Sequence, residues 1–228
     1  LKALPERRQV VSIPAGVEGV RLEGFKVTGS EWDGLSIYGQ ASLNNIWVSG
    51  NHKHGLDVHG SAQVTVENSA FSDNDRYGLS VYGSAQVTVK SSSFSDNGWC
   101  GLSVWGSARV AVEDCTISGN GNDGLVAGGS AQVTVRDSLI EGNGTDEYCQ
   151  RYCCCNGIVV WKEAHLEVYG STIRNNKDWG IGAALWKCGD EGYFRGTVLW
   201  RDRGNTITGN GRGDVCLPDV CVPEGACD

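Results

Sequence analysis

Three of the four histidines fall within one short stretch: His52, His54 and His59, with Lys53 and Asp57 among them. Imidazole changes charge close to neutral pH, so such a stretch can supply a base, an acid and ligands for a cation. Asp57 and His59 are two residues apart. On a strand that spacing puts both on one face. His54, Asp57 and His59 also form a candidate set for a transition-metal ion. A second candidate is aromatic. Tyr38, Tyr82, Trp105 and Trp161 recur at equivalent places in successive segments, with His59, Gly128 and Ala184 in the same column. Flat rings repeated on an outward face suit stacking against sugar rings or against one another.

Cysteine supplies the third candidate. Of 10 Cys, eight fall late in the chain: Cys149, Cys153, Cys154, Cys155, Cys188, Cys216, Cys221 and Cys227. An even number concentrated in loops and tail suggests disulfides, with Cys100 a further candidate, and an oxidising compartment. A zinc site built from the Cys149–Cys155 group with Cys188 is the alternative. Cys115 replaces Ser69 and Ser92 in an inward column and is expected to be a buried thiol. The tripeptide Arg212, Gly213, Asp214 is too short to carry a function by itself.

The elements that must position these residues are set by a repeat. Gly78–Cys100 reads GLSVYGSAQVTVKSSSFSDNGWC, and near copies begin at Gly55 and Gly101. Starts fall at Gly34, Gly55, Gly78, Gly101, Gly124, Gly157 and Gly180, with spacings of 21, 23, 23, 23, 33 and 23 residues. Each unit holds three short strand-like pieces with clean alternation: Leu79, Val81, Val87, Val89 and Phe94 inward, Ser80, Tyr82, Gln86 and Thr88 outward. One unit cannot bury its apolar face alone, whereas stacked units can. The period is too short for a propeller blade, and the Leu-x-x-Leu-x-Leu pattern of leucine-rich repeats is missing. The expected fold is all-β: a single-stranded right-handed parallel β-helix with three sheets and about 7–8 coils of ~23 residues. A column of Asn51, Asn74, Asn97, Asn120, Asn143, Asn176 and Asn210 is expected to join coil to coil.

Residues 1–33 read as an N-terminal cap and degenerate first coil, 34–210 as the helix, and 211–228 as a Cys-rich C-terminal cap. Extra residues at 142–156 and 187–194 read as insertions, which in solenoids map to loops on one face. The net charge of −8 and interspersed signs argue against nucleic acid. No run of 18 apolar residues occurs, so no membrane span is expected. The sequence contains no Met, so Leu1 is expected to follow a removed segment, such as a signal peptide or the front of a precursor.

The repeated GL-x-V-x-GSAxVTV…N phrase resembles the right-handed parallel β-helix repeat superfamily, which includes pectate-lyase-like and other carbohydrate-active proteins. The resemblance covers residues 34–186 and implies polysaccharide binding or processing. A polysaccharide lyase or related enzyme needs a base for the proton alpha to a uronate carboxylate, an acid for the leaving oxygen and a cation for the carboxylate. His59 or Lys53 as base, Tyr82 or Tyr38 as acid, and Asp57 as a Ca²⁺ ligand, with His54 beside it, would supply the parts. Tyr38, Tyr82, Trp105 and Trp161 would bind the sugar chain. The column around Asp57 reads Ser36, Ser80, Ser103, so the cluster of acidic calcium ligands that the resemblance implies is missing. The reading is a secreted, periplasmic or cell-surface protein acting on a polysaccharide. The alternative is a non-catalytic structural or adhesion module of the cell envelope or of a larger surface protein, with an envelope component as partner.

Overall fold

The computed structural model describes residues 9–147, 155–183, 194–218 and 220–222, the last three by backbone alone. Three short strands make each coil, because alternating runs of three to five residues are separated by corners. In the unit at Gly78 they are Leu79–Val81, Gln86–Lys90 and Ser93–Ser95. Each pairs in parallel with its copy in the neighbouring coils, so Leu79 lies between Leu56 and Leu102. The result is a parallel β-helix of about seven turns, ~23 residues each. The sheet of first strands has ten members, and the sheets of second and third strands have eight each. No helix occurs among the described residues, and hence none long and apolar enough to cross a membrane.

A coil precedes Gly34. Val11–Ile13, Val20–Glu23 and Lys26–Thr28 pair with Leu35–Ile37, Gln40–Asn44 and Trp47–Ser49 respectively. At the other end Gly213–Leu217 adds in parallel to Trp179–Ala183, and Val220–Val222 folds back on it antiparallel. The hairpin reverses strand direction at the sheet edge that would otherwise invite another chain.

Alternation decides what is inside. Val81, Val89 and Phe94 are fully buried and Val87 nearly so, while Gln86 is exposed. Phe71 and Phe94 stack at 5.1 Å between ring centres. Burial of each such large apolar side chain contributes roughly 1.5–3 kcal/mol. The corners are held by polar ladders. Each Asn amide donates to the Asn carbonyl oxygen of the next coil, at 2.8 Å for Asn51 to Asn74 and 2.9 Å for Asn176 to Asn210. Asn97 also donates to Phe71 O and accepts from the Asn74 N–H, so little of its amide goes unused. The column needs Gly at each coil start: a Cβ on Gly78 would lie 2.9 Å from Gly101 O and 3.0 Å from Asn97 Nδ2. At the corner between second and third strands Asn68, Ser91 and Asp114 adopt φ of 49°, 46° and 52°. That is a left-handed conformation for which Asn and Asp are suited. Cys115 takes the serine place in a second ladder. Its Sγ approaches Glu113 O at 3.1 Å, as Ser92 Oγ approaches Lys90 O at 2.7 Å. It is a buried free thiol.

Candidate functional site

The outward position at the centre of the first strands runs Ser36, Asp57, Ser80, Ser103, Val126, Val159 and Gly182. These side chains leave the core, yet all from Ser36 to Val159 are buried. Two flanking rows cover them. One is the ladder Tyr38, His59, Tyr82, Trp105, Gly128 and Trp161. The other precedes each coil-start Gly: Asp33, His54, Tyr77, Cys100, Asp123, Asn156 and Trp179. The strip between these rows, a trough roofed by their side chains, runs along the helix axis, and its two ends differ in chemistry.

At the N-terminal end the trough is polar and titratable. Asp57 Oδ2 accepts from His59 Nε2 at 2.5 Å, while Asp57 Oδ1 is buried and has no hydrogen-bond partner. The His59 ring stacks on Tyr38 at 4.9 Å and faces Tyr82 at 6.5 Å. Both tyrosines are exposed, by 43% and 45%. In the other row the His54 ring stacks on Tyr77 at 4.8 Å, and its Nδ1 accepts from the Tyr77 N–H at 3.4 Å. The His54 N–H donates to Asp33 Oδ1 at 3.2 Å. Asp33, His54 and Asp57 thus bring ligand-type atoms within 4.8 Å of one another.

The electrostatics follow from burial. Desolvation, and next the Asp57 carboxylate, raise the Asp33 pKa above the ordinary carboxylate value. Desolvation lowers His54 to about 4, against the pull of Asp57, so the ring is neutral at pH 7. Desolvation likewise pushes the Tyr77 phenol up to about 12, and Ser103 hydrogen-bonds it. The nearest cations stand on the rim. Lys53 Nζ sits 4.1 Å from the centre of the Trp32 ring, and the Arg76 guanidinium 5.0 Å from Trp99. Neither forms an ion pair with Asp33 or Asp57.

At the C-terminal end the trough is apolar. Val126 and Val159 pack with Cys100, Tyr77, Trp105 and Trp161 into a cluster separate from the main core. The Trp105 ring lies down over Gly128, where a Cβ would come within 2.4 Å of it. Its Nε1 donates to Ser103 Oγ at 3.1 Å, and its ring meets Trp161 at 6.4 Å. The gap at Gly128 is therefore filled by Trp105.

Of the residues singled out from sequence, Tyr38, Asp57, His59 and Tyr82 form one contiguous group, with His54 joined to Asp57 from the opposite row. Lys53 belongs to the rim. His52 points away and pairs with Asp75 at 2.9 Å. Trp105 and Trp161 are half-buried members of the apolar cluster. Asp33 and Tyr77 were missed, although both stand in the column before each coil-start Gly, which the aligned repeats display. His59 is the hydrogen-bond partner of Asp57, and the third member of the metal-type cluster is Asp33. The set of two carboxylates and one imidazole does not match calcium, which takes six to eight oxygen ligands. Cys100 is corrected as a disulfide candidate: it is a buried thiol against Val126 and Val159. Cys155 and Cys216 are buried. Cys149, Cys153, Cys154, Cys188 and Cys227 lie outside the described residues, as does the Cys221 side chain. Arg212 of the Arg-Gly-Asp tripeptide pairs with Asp178 at 2.8 Å, and Gly213 and Asp214 are part of a strand.

Comparison with known proteins bears on this architecture. The family model described as right handed beta helix region matches residues 33–211. Among curated proteins no sequence matches this chain. Among solved structures, the periplasmic alginate epimerase AlgG is similar over 82% of this chain and 44% of its own, with 12% identity and a TM-score of 0.65. The A-module of the Azotobacter vinelandii mannuronan C-5 epimerase AlgE4 is similar over 86% of this chain and 57% of its own, at 17% identity and TM-score 0.60. An alginate lyase from Paenibacillus sp. str. FPU-7 is similar over 82% and 76%, at 11% identity and TM-score 0.54. This chain thus spans less than half the length of the first and little more than half of the second. At these identities the likeness concerns the fold.

Proposed function

The chain belongs to the right-handed β-helix family, and from that premise we propose that it is a polysaccharide-modifying protein whose reacting groups are Asp57, His59 and the flanking tyrosines. One observation carries the reading. His59 is clamped through Nε2 by a buried carboxylate, between two exposed phenol rings. A carboxylate fixing one imidazole nitrogen orients the other for proton transfer. The half-buried ring and the exposed phenols lie on an elongated face of the solenoid, against which an extended chain can lie.

The chemistry that suits this set is removal of a proton alpha to a carboxylate on a uronate ring. His59 takes the C5 proton, and the electron pair is delocalised into the substrate carboxylate. The Lys53 cation on the rim faces that charge. From there either the C4–O bond breaks, with Tyr82 protonating the departing oxygen, or a proton returns to C5 from the opposite side. The first outcome is a lyase reaction and the second an epimerisation. The names of the three structural neighbours, an alginate epimerase, a mannuronan C-5 epimerase and an alginate lyase, support this class. The 10 cysteines, eight of them late in the chain, and a neighbour named as periplasmic support action outside the cytoplasm.

The test is incubation with alginate, polygalacturonate and a neutral glucan in deuterated buffer. Deuterium at C5 is the expected result of epimerisation, and an unsaturated end-group, whose C5 carries no hydrogen, is the expected result of elimination. If no polyuronate gains deuterium or an unsaturated end-group and none alters tryptophan fluorescence, the enzymatic reading fails and a structural or adhesion module of the envelope takes its place.

A further inference from the structure

Asp33 and His54, opposite His59, take no part in that proton transfer, and the cluster they form with Asp57 has its own logic. Asp33 and Asp57 are both more than nine-tenths buried, come from adjacent coils, and interact electrostatically. Two carboxylates so placed repel each other unless a positive charge stands between them. The available cations do not serve: Lys53 rests on Trp32 and Arg76 on Trp99. His59 engages only Asp57 Oδ2. Asp57 Oδ1 is left without any partner, in a chain where every other fully buried side-chain nitrogen and oxygen among the described residues has one. An orphaned carboxylate oxygen in such a setting marks an absent ligand.

We propose that Asp33, His54 and Asp57 form a binding site for a divalent transition-metal ion such as Zn²⁺. Their ligand atoms lie within 4.8 Å of one another, as a shared ion requires. The one imidazole among them selects against Ca²⁺ and Mg²⁺, which take oxygen, and for zinc-type ions, which take nitrogen and carboxylate together. The outer contacts are those of a prepared site. His59 holds the second oxygen of Asp57, and the His54 N–H holds Oδ1 of Asp33, leaving Asp57 Oδ1 and Asp33 Oδ2 for the ion. The His54 ring supplies one nitrogen, and its Nδ1 is held only by the long 3.4 Å approach of the Tyr77 N–H. Three protein ligands leave a fourth position of a tetrahedral ion open toward the trough.

The experiment is calorimetric titration of Zn²⁺ into the chelator-stripped full chain, without glycan, so that its outcome is independent of any activity. The expected result is one equivalent bound per chain. Asp33→Asn and Asp57→Asn, near-isosteric and expected to fold, each weaken it at least tenfold, and His54→Gln weakens Zn²⁺ more than it weakens Ca²⁺. Absence of binding to the unsubstituted chain overturns the assignment. Binding undiminished in the Asp33→Asn, Asp57→Asn double variant places the ion elsewhere, for instance at the cysteines, and overturns it equally. Ca²⁺ bound as tightly as Zn²⁺ overturns the choice of ion.

Discussion

The two ends of the trough share one backbone. Ser36, Asp57 and Ser80 occupy the same register as Val126 and Val159, and the flanking rows continue past both groups. What differs is the side chains. At the N-terminal end two buried carboxylates, two imidazoles and exposed phenols lie where the C-terminal end has two valines, a thiol, two indoles and one carboxylate, Asp123, that accepts from the Asn156 amide. The apolar end has the arrangement that stability favours, because outward side chains there exclude water from one another. The polar end retains a buried carboxylate oxygen with no partner, of a kind that costs about 1–3 kcal/mol or more. Groups that stability would discard, gathered in one place on a regular scaffold, are where function is to be sought.

The comparison is broken most severely by removing chemistry from the polar end. His59→Ala should lower any polyuronate activity by about 10²–10⁴-fold. Its stability should also fall, by about 1–3 kcal/mol, because Asp57 Oδ2 loses its partner, so activity is compared at a temperature where the variant is folded. Equal loss of activity from Trp161→Ala at the other end, in a chain that still folds, would mean that the two ends do not divide as described. Next in size, Gly128→Ala should destabilise the apolar end by about 1–3 kcal/mol, since the new Cβ meets the Trp105 ring at 2.4–2.7 Å. Denaturant unfolding measures the loss, and a red shift of tryptophan emission reports the displaced ring. Asp57→Val, which copies the apolar end into the polar one, should stabilise the metal-free chain by about 1 kcal/mol while abolishing activity. A destabilised variant would show that the Asp57–His59 bond outweighs the orphaned oxygen.

A separate effect concerns pH. Burial raises the Asp123 carboxyl from 3.8 to about 6, with the Asp178 carboxylate adding to it. The N–H groups of Asn156 and Cys155 and the Asn156 amide oppose the rise. Asp178 itself is paired with Arg212. A folded pKa above the unfolded one means that the native chain binds the extra proton between those values. Stability contributed by this group is therefore present at low pH and lost as pH rises from about 4 to 6. Asp123→Asn should flatten that segment of the stability profile. An unchanged slope after substitution would assign it to other carboxyls.

Much of this architecture is legible in the repeat itself. The inward valines, leucines and phenylalanines, the Asn column and the coil-start glycines recur because every coil meets the same neighbours above and below. Such constraints leave a period in the sequence. The site is legible only in part. Asp57 and His59 were found from strand alternation, which fixes their common face. Asp33 was not, because it stands before the coil start in a less regular unit, and only the corner geometry turns it toward Asp57. Alternation says that Trp105 points outward but leaves its side-chain torsions undetermined. That the ring lies down over the next coil, on Gly128, depends on a missing Cβ one coil away. Cys100 shows the same limit: its column was visible, but its neighbours Val126 and Val159 come from other coils.

The asparagine ladder carries a consequence for how such a chain can change length. Each amide accepts from the coil before and donates to the coil after, so every link has the same direction and the same two ends. Duplication of one whole unit, Gly101 to Asp123, would add a rung without leaving a broken one. A partial duplication would strand an amide inside the corner. The trough can therefore be lengthened in steps of one coil at its apolar end, matching a longer polymer, while the groups around Asp57 keep their places.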